Sequence, residues 1–131
     1  MFQTRLYVRD MPTPDIWVVV RPFVWDDIVF GRIEVPVGMT TDLASIPRAL
    51  RGVPELDPDG PSRRAAVCHD FLYDRAIGRA KGKDFADRFL RAAMLADGCG
   101  PIAANLFYDA VREFGQTAWN AWTKDLPLLD P

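Results

Sequence analysis

The chain contains a single histidine, His69, followed at once by Asp70 and, four residues on, by Tyr73. An imidazole moves protons near neutral pH, and it serves as a directed base when one ring nitrogen is held and the other is free. A carboxylate would do the holding, and Asp87 is placed for it. Asp87 is in line with Leu90 and Met94, whereas Asp84, Arg88 and Arg91 form the polar side of the same segment. An acid on an inward face needs a partner. If two helices pack antiparallel across the turn Gly78 to Gly82, Asp87 accepts from one imidazole nitrogen and the other is left to activate water. Asp70 points about 100° further round its helix, where it can bind a hard cation together with loop carbonyls. His69 and Tyr73 share a face with Ala65, Leu72 and Ala76. The same residues also fit a core histidine satisfied by an acid for structural reasons. Spacing alone leaves both readings open.

The elements that must position these residues follow from the pattern around them. Ser62 is suited to cap a first helix reaching about Ile77 and closed by Gly78. A second helix fits Asp84 to Ala96, ended by Gly98. Pro101 opens a third, with Ala103, Phe107, Ala110, Val111, Phe114, Ala118 and Trp122 as its core stripe. Upstream, Ile16 to Trp25 is dense in β-branched and aromatic residues and reads as a strand, bent or put at an edge by Pro22. Asp26-Asp27 predicts a turn, and Ile28 to Val37 a returning strand. Thr41 or Asp42 is suited to cap one helical turn, and Gly52 to Pro61 is a loop. The expected fold class is α+β in a single domain, 1–131: a small antiparallel N-terminal sheet (1–60) packed with a C-terminal three-helix unit (61–125), and a loose tail (126–131).

Composition narrows the function classes. With 49% hydrophobic and 26% charged residues, the chain is that of a globular protein. Sixteen basic against eighteen acidic residues give a net charge of -2, which offers no broad cationic field for nucleic acid. No stretch approaches the eighteen or so apolar residues of a membrane span, and the first ten residues lack the apolar core of an export signal. The two cysteines, Cys68 and Cys99, read as free thiols in a reducing compartment. Cys68 diverges from its neighbour His69 on a helix and cannot exchange a proton with it directly. One histidine and two separated cysteines make no zinc spacing. Arg63, Arg64, Arg75, Arg79, Lys81 and Lys83 either attract phosphate headgroups or form a solvated rim. Trp17, Trp25, Trp119 and Trp122 read as core rather than as an interaction surface.

The string His69-Asp70-Phe71-Leu72-Tyr73, followed by Ala86-Asp87-Arg88-Phe89, resembles the catalytic helix pair of phospholipase A2, especially the compact form in parvovirus capsid proteins. The resemblance implies that His69 is the general base, Asp87 its partner, Asp70 a calcium ligand and Tyr73 a support for the dyad. The chain departs from that family in having Asp57-Pro58-Asp59-Gly60 where a glycine-rich calcium loop should stand, and in lacking its disulfides.

A broader resemblance covers most of the chain. Val35-Pro36-Val37-Gly38, Thr41 to Arg48, Ala65 to Tyr73, Ala86-Asp87 and Ala110 to Gly115 are similar, in that order, to the phage and prophage family catalogued as domain of unknown function 1353. This implies a tailed-phage origin and a β-rich start leading into helices, and it suggests that Asp42 and Ser45 line the pocket beside His69. Two functions are expected. One is a tail-associated accessory or virion protein that retains a phospholipase-like His-Asp helix pair, made in the host cytoplasm and working with other phage structural proteins. The alternative is a calcium-dependent lipid hydrolase acting on phospholipid.

Overall fold

The computed structural model describes residues 1–14, 16–42, 50, 52–53, 56, 60–74, 76–121 and 128–130. Its class is α+β, with antiparallel strands in the N-terminal part and helices after them. The strands are β1 (Val8–Asp10), β2 (Trp17–Val19), β3 (Phe23–Asp27), β4 (Gly31–Val35) and β5 (Thr40–Thr41). The helices are α1 (Arg63–Asp74), α2 (Ala76–Arg79), α3 (Lys83–Ala96) and α4 (Pro101–Ala121). The chain resolves into two compact units, one of Met1–Leu43 with Pro127–Pro131 and one of Ala44–Leu126.

In the first unit β2 pairs antiparallel with β1 and β5, and β3 pairs with β4 as a separate hairpin. The expected single strand from Ile16 to Trp25 divides at residues 20–22. Pro22 has no N–H to give a ladder, so β2 and β3 enter different sheets. The hairpin turn falls at residues 28–30, not at Asp26-Asp27. Burial explains the shift. The observed register sets Phe23 opposite Val35 and Trp25 opposite Ile33, and all four are buried. A turn at Asp26-Asp27 would bring Trp25 against Ile28 and break this matching, because register decides which face each side chain meets. Thr41, expected at a helix cap, is instead in β5, with Trp17 as its partner. The first ten residues carry no strong strand pattern, yet Val8–Asp10 pairs with β2 and Phe2 bridges to Trp25. In the C-terminal stretch the Leu129 N–H donates to the Gly38 carbonyl at 2.8 Å. Gly38 has φ +91°, and a Cβ there would collide with the Leu129 carbonyl.

In the second unit α1 packs on α3 and α3 on α4. Fully buried side chains include Val67 and Leu72 of α1 and Phe89, Leu90 and Met94 of α3. Each contributes roughly 1.5–3 kcal/mol by leaving water. Ser62 precedes α1, but its buried hydroxyl has no hydrogen-bond partner among the described residues. Its carbonyl accepts from Ala66 N–H at 3.0 Å instead. Gly78 does not close the first helix. It is inside α2, where a Cβ would stand 2.8 Å from Leu72 Cα, so it permits a close approach to α1. Gly98 does end α3: Gly98 N–H donates to Leu95 O and Cys99 N–H to Met94 O, at 3.2 and 3.0 Å, the paired bonds of a Schellman cap. Asp97 at that end accepts from Arg64 Nε of α1 at 2.8 Å. The stripe of α4 also differs from expectation. Ala103, Phe107, Ala110 and Val111 are buried, but Phe114 and Ala118 are exposed. The inward row runs in steps of four through Phe107 and Val111 to Gly115 and Trp119, which meet Tyr73. Trp122 is outside the described residues, as is Arg75.

Candidate functional site

His69 and Tyr73 are one turn apart on α1, and their rings lie 4.3 Å apart at 41°. Both are buried, and Asp87 of α3 is fully buried opposite them. Asp87 Oδ1 is 3.0 Å from His69 Nε2 and accepts from the Tyr73 hydroxyl at 2.6 Å. Asp87 Oδ2 accepts from Lys83 Nζ at 2.7 Å and from Arg112 Nη1 at 3.4 Å. One oxygen thus serves the aromatic side of the site and the other serves two cations. Lys83 is one turn before Asp87 on α3 and also donates to the Val111 carbonyl of α4 at 3.1 Å. Arg112 divides itself between Asp87 and Asp84, each at 3.4 Å.

These contacts set the ionisation of the site. Burial pushes the Asp87 carboxyl up, but hydrogen bonds from His69, Lys83 and Tyr73 outweigh it and hold the group down, from 3.8 to about 2. The Tyr73 hydroxyl is pushed well above its ordinary range, first by burial and then by donating to Asp87, so it stays a donor. An ionised carboxylate has no proton to give. The proton in the His69–Asp87 bond therefore belongs to Nε2, and a neutral imidazole carries its lone pair on Nδ1. No described residue hydrogen-bonds Nδ1, and about 10% of the His69 side chain is exposed.

Tyr73 is itself held. Trp119 meets its ring edge-on at 5.1 Å. Arg79 donates to the Tyr73 and Trp119 carbonyls at 2.6 and 2.9 Å, and lies 3.9 Å over the Trp119 ring. Gly115 makes room for the hydroxyl, since a Cβ there would be 2.7 Å from it. Behind His69, Cys68 is fully buried and burial pushes its thiol up, which suits a packing residue rather than a nucleophile.

The structure therefore brings His69, Tyr73 and Asp87 together. Asp70 follows His69 on α1, is half-buried and takes no part in the bonds to Asp87. Asp42 comes directly after β5 in the first unit, and Ser45 is outside the described residues. Calcium takes six to eight oxygen ligands. No group of three or more acidic, histidine or cysteine side chains suited to a metal occurs among the described residues, and Asp57 and Asp59 are outside them.

Sequence reasoning missed Lys83, Arg79, Arg112, Gly115 and Trp119 as members of the site. Lys83 and Arg79 belong to the cluster of cations that reads as a headgroup patch or a solvated rim, yet both donate to internal acceptors. For Lys83 the signal was present, because a cation four residues before an inward acid is on the same helix face. Arg79, Arg112, Gly115 and Trp119 depend on how the helices cross, which no local spacing announces.

Residues 17–123 match the family model described as a protein of unknown function, DUF1353. The chain belongs to the DUF1353 family. No curated protein and no solved structure matches it. The DUF1353 match spans the whole network around Asp87, from His69 to Trp119. Among the described residues of this DUF1353 chain, no helix is long and apolar enough to cross a membrane.

Proposed function

We propose that this DUF1353 protein is a phage or prophage accessory protein whose helix pair hydrolyses ester bonds of phospholipid type. The observation that supports this reading is the histidine held at Nε2 by a buried, ionised Asp87 while Nδ1 is left without a protein partner among the described residues. In that role His69 Nδ1 takes a proton from water as the water oxygen bonds to the ester carbonyl carbon. The proton then passes to the leaving alkoxide as the acyl C–O bond breaks. Asp87 stabilises the intervening imidazolium, and Tyr73 and Lys83 fix the carboxylate. A phage protein that meets host membranes during entry or lysis has a use for such a reaction.

A second reading is favoured by one contact. Asp87 Oδ2 is already matched by Lys83 and Arg112, so the carboxylate is neutralised by groups from α3 and α4. That arrangement suits a non-enzymatic, tail-associated virion protein in which the network ties three helices together. The deciding experiment is fatty-acid release from mixed phospholipid vesicles by wild type and His69→Ala, each with calcium and with chelator. The hydrolase reading expects release that the substitution abolishes while the fold survives, and the chelator arm reports any calcium requirement. No release from folded wild type overturns it in favour of the structural network, and equal release by both proteins overturns the assignment of His69 as the base.

A further inference from the structure

The β3–β4 hairpin ends in a tip that turn chemistry does not account for. Tight turns draw Gly, Asn, Asp, Pro and Ser, each for a backbone reason, but this one carries Ile28 and Val29. Their exposures are 102% and 72%. The tip is also held in shape: Asp27 is opposite Gly31 in the ladder, Asp27 Oδ1 accepts from Phe30 N–H at 2.6 Å, and Gly31 takes φ +71°. Single exposed apolar residues are ordinary. An adjacent aliphatic pair on a braced, convex tip gives the fold nothing in return for its exposure to water, and a local choice that works against the turn points to a role outside the fold.

We infer that Ile28 and Val29 are an anchor that dips into the surface of a zwitterionic phospholipid bilayer. A convex tip suits a deformable medium, and the charges around it select the kind of lipid. Asp26 and Glu34 are exposed and Asp27 is half-buried. Against them stand Arg32, paired with Glu34 at 3.0 Å, and the Met1 ammonium, which donates to the Asp26 carbonyl at 2.7 Å. Among the described residues of the hairpin and the terminus beside it, three carboxylates against two cations leave no positive excess to draw the tip to anionic headgroups, so the apolar pair carries the attraction. The Asp27 carboxylate already accepts a bond within the turn, which lowers the cost of bringing it to headgroup depth.

The test is sedimentation of the full chain with phosphatidylcholine vesicles and with vesicles containing phosphatidylglycerol. Wild type is expected to sediment with phosphatidylcholine, and I28S/V29S to bind at least about tenfold more weakly with an unchanged unfolding midpoint. I28V/V29I, which keeps the apolar area, is expected to bind as wild type. Three results overturn the inference: no sedimentation of wild type with phosphatidylcholine, which would leave the tip to a socket on a protein; equal binding by I28S/V29S; or tighter binding as phosphatidylglycerol is added. The readout needs no turnover, and His69→Ala is expected to sediment as wild type does, so failure of the hydrolase reading and failure of the anchor are separate results.

Discussion

Asp87→Asn removes one negative charge from the centre of the helical unit while nearly preserving its shape. The wild-type carboxyl is held from 3.8 down to about 2, against the pull of burial, by His69, Lys83 and Tyr73. A carboxyl lowered by that much contributes roughly 2 kcal/mol to stability at neutral pH. Because the folded value is the lower one, the contribution is complete above about pH 4 and is lost as the pH falls towards about 2. The amide adds a second cost. Lys83, only 11% exposed on its side chain, loses its anion, and breaking a buried charged pair in this way costs roughly 3–5 kcal/mol in all. Urea unfolding followed by far-UV circular dichroism, which reports mainly the helices, measures both parts. At about pH 7 the variant is expected to be roughly 3–5 kcal/mol less stable, and at about pH 3 the difference should narrow by about 1 kcal/mol. A loss below about 1 kcal/mol at neutral pH, or a gap that does not narrow in acid, would refute the account of Asp87 as the ionised hub.

Other expectations follow from the same geometry. Gly115→Ala in a helix would ordinarily stabilise by up to about 1 kcal/mol. Here the new methyl meets the Tyr73 hydroxyl at 2.7 Å, so a loss of roughly 1–3 kcal/mol is expected, and the sign of the change in unfolding midpoint decides. Nitrogen NMR of the single imidazole should show the neutral ring protonated at Nε2, and an Nδ1-protonated ring would contradict the assignment of Asp87 as a pure acceptor. Both cysteines are buried, and burial raises the Cys68 thiol. An aromatic disulfide reagent should therefore leave both thiols unmodified in the native protein and release two equivalents only in denaturant; rapid native labelling would show that the helical unit opens readily.

Several of these features were legible before any fold was known. Asp87 aligned with Leu90 and Met94 and set apart from Asp84, Arg88 and Arg91 is a periodicity argument, and the expected reversal between the helices is present, made by the short α2 and the turn at Ala80 and Lys81 after it. Elsewhere the pattern misled for identifiable reasons. Ile28 and Val29 look like strand residues because a local scan rewards β-branched side chains, but the pairing of Trp25 with Ile33 moves the turn onto them. Phe114 and Ala118 fit a helical stripe as well as Gly115 and Trp119 do, and only the packing of Tyr73 against α4 selects the second set. Gly78 reads as a stop signal, yet it serves a close contact with Leu72.

The amino-acid sequence by itself determined the class of fold, the three long helices, and the inward placement of Asp87 on its helix, because each depends on periodicities of a few residues along one segment. Tertiary structure decided which nitrogen of His69 is held, that Lys83 and Arg112 take the other oxygen of Asp87, and that Gly115 and Trp119 wall in Tyr73. Those contacts join α1, α3 and α4 across separations of up to 46 residues. They are fixed by how the helices cross and by the need to satisfy one buried charge, which no single segment encodes.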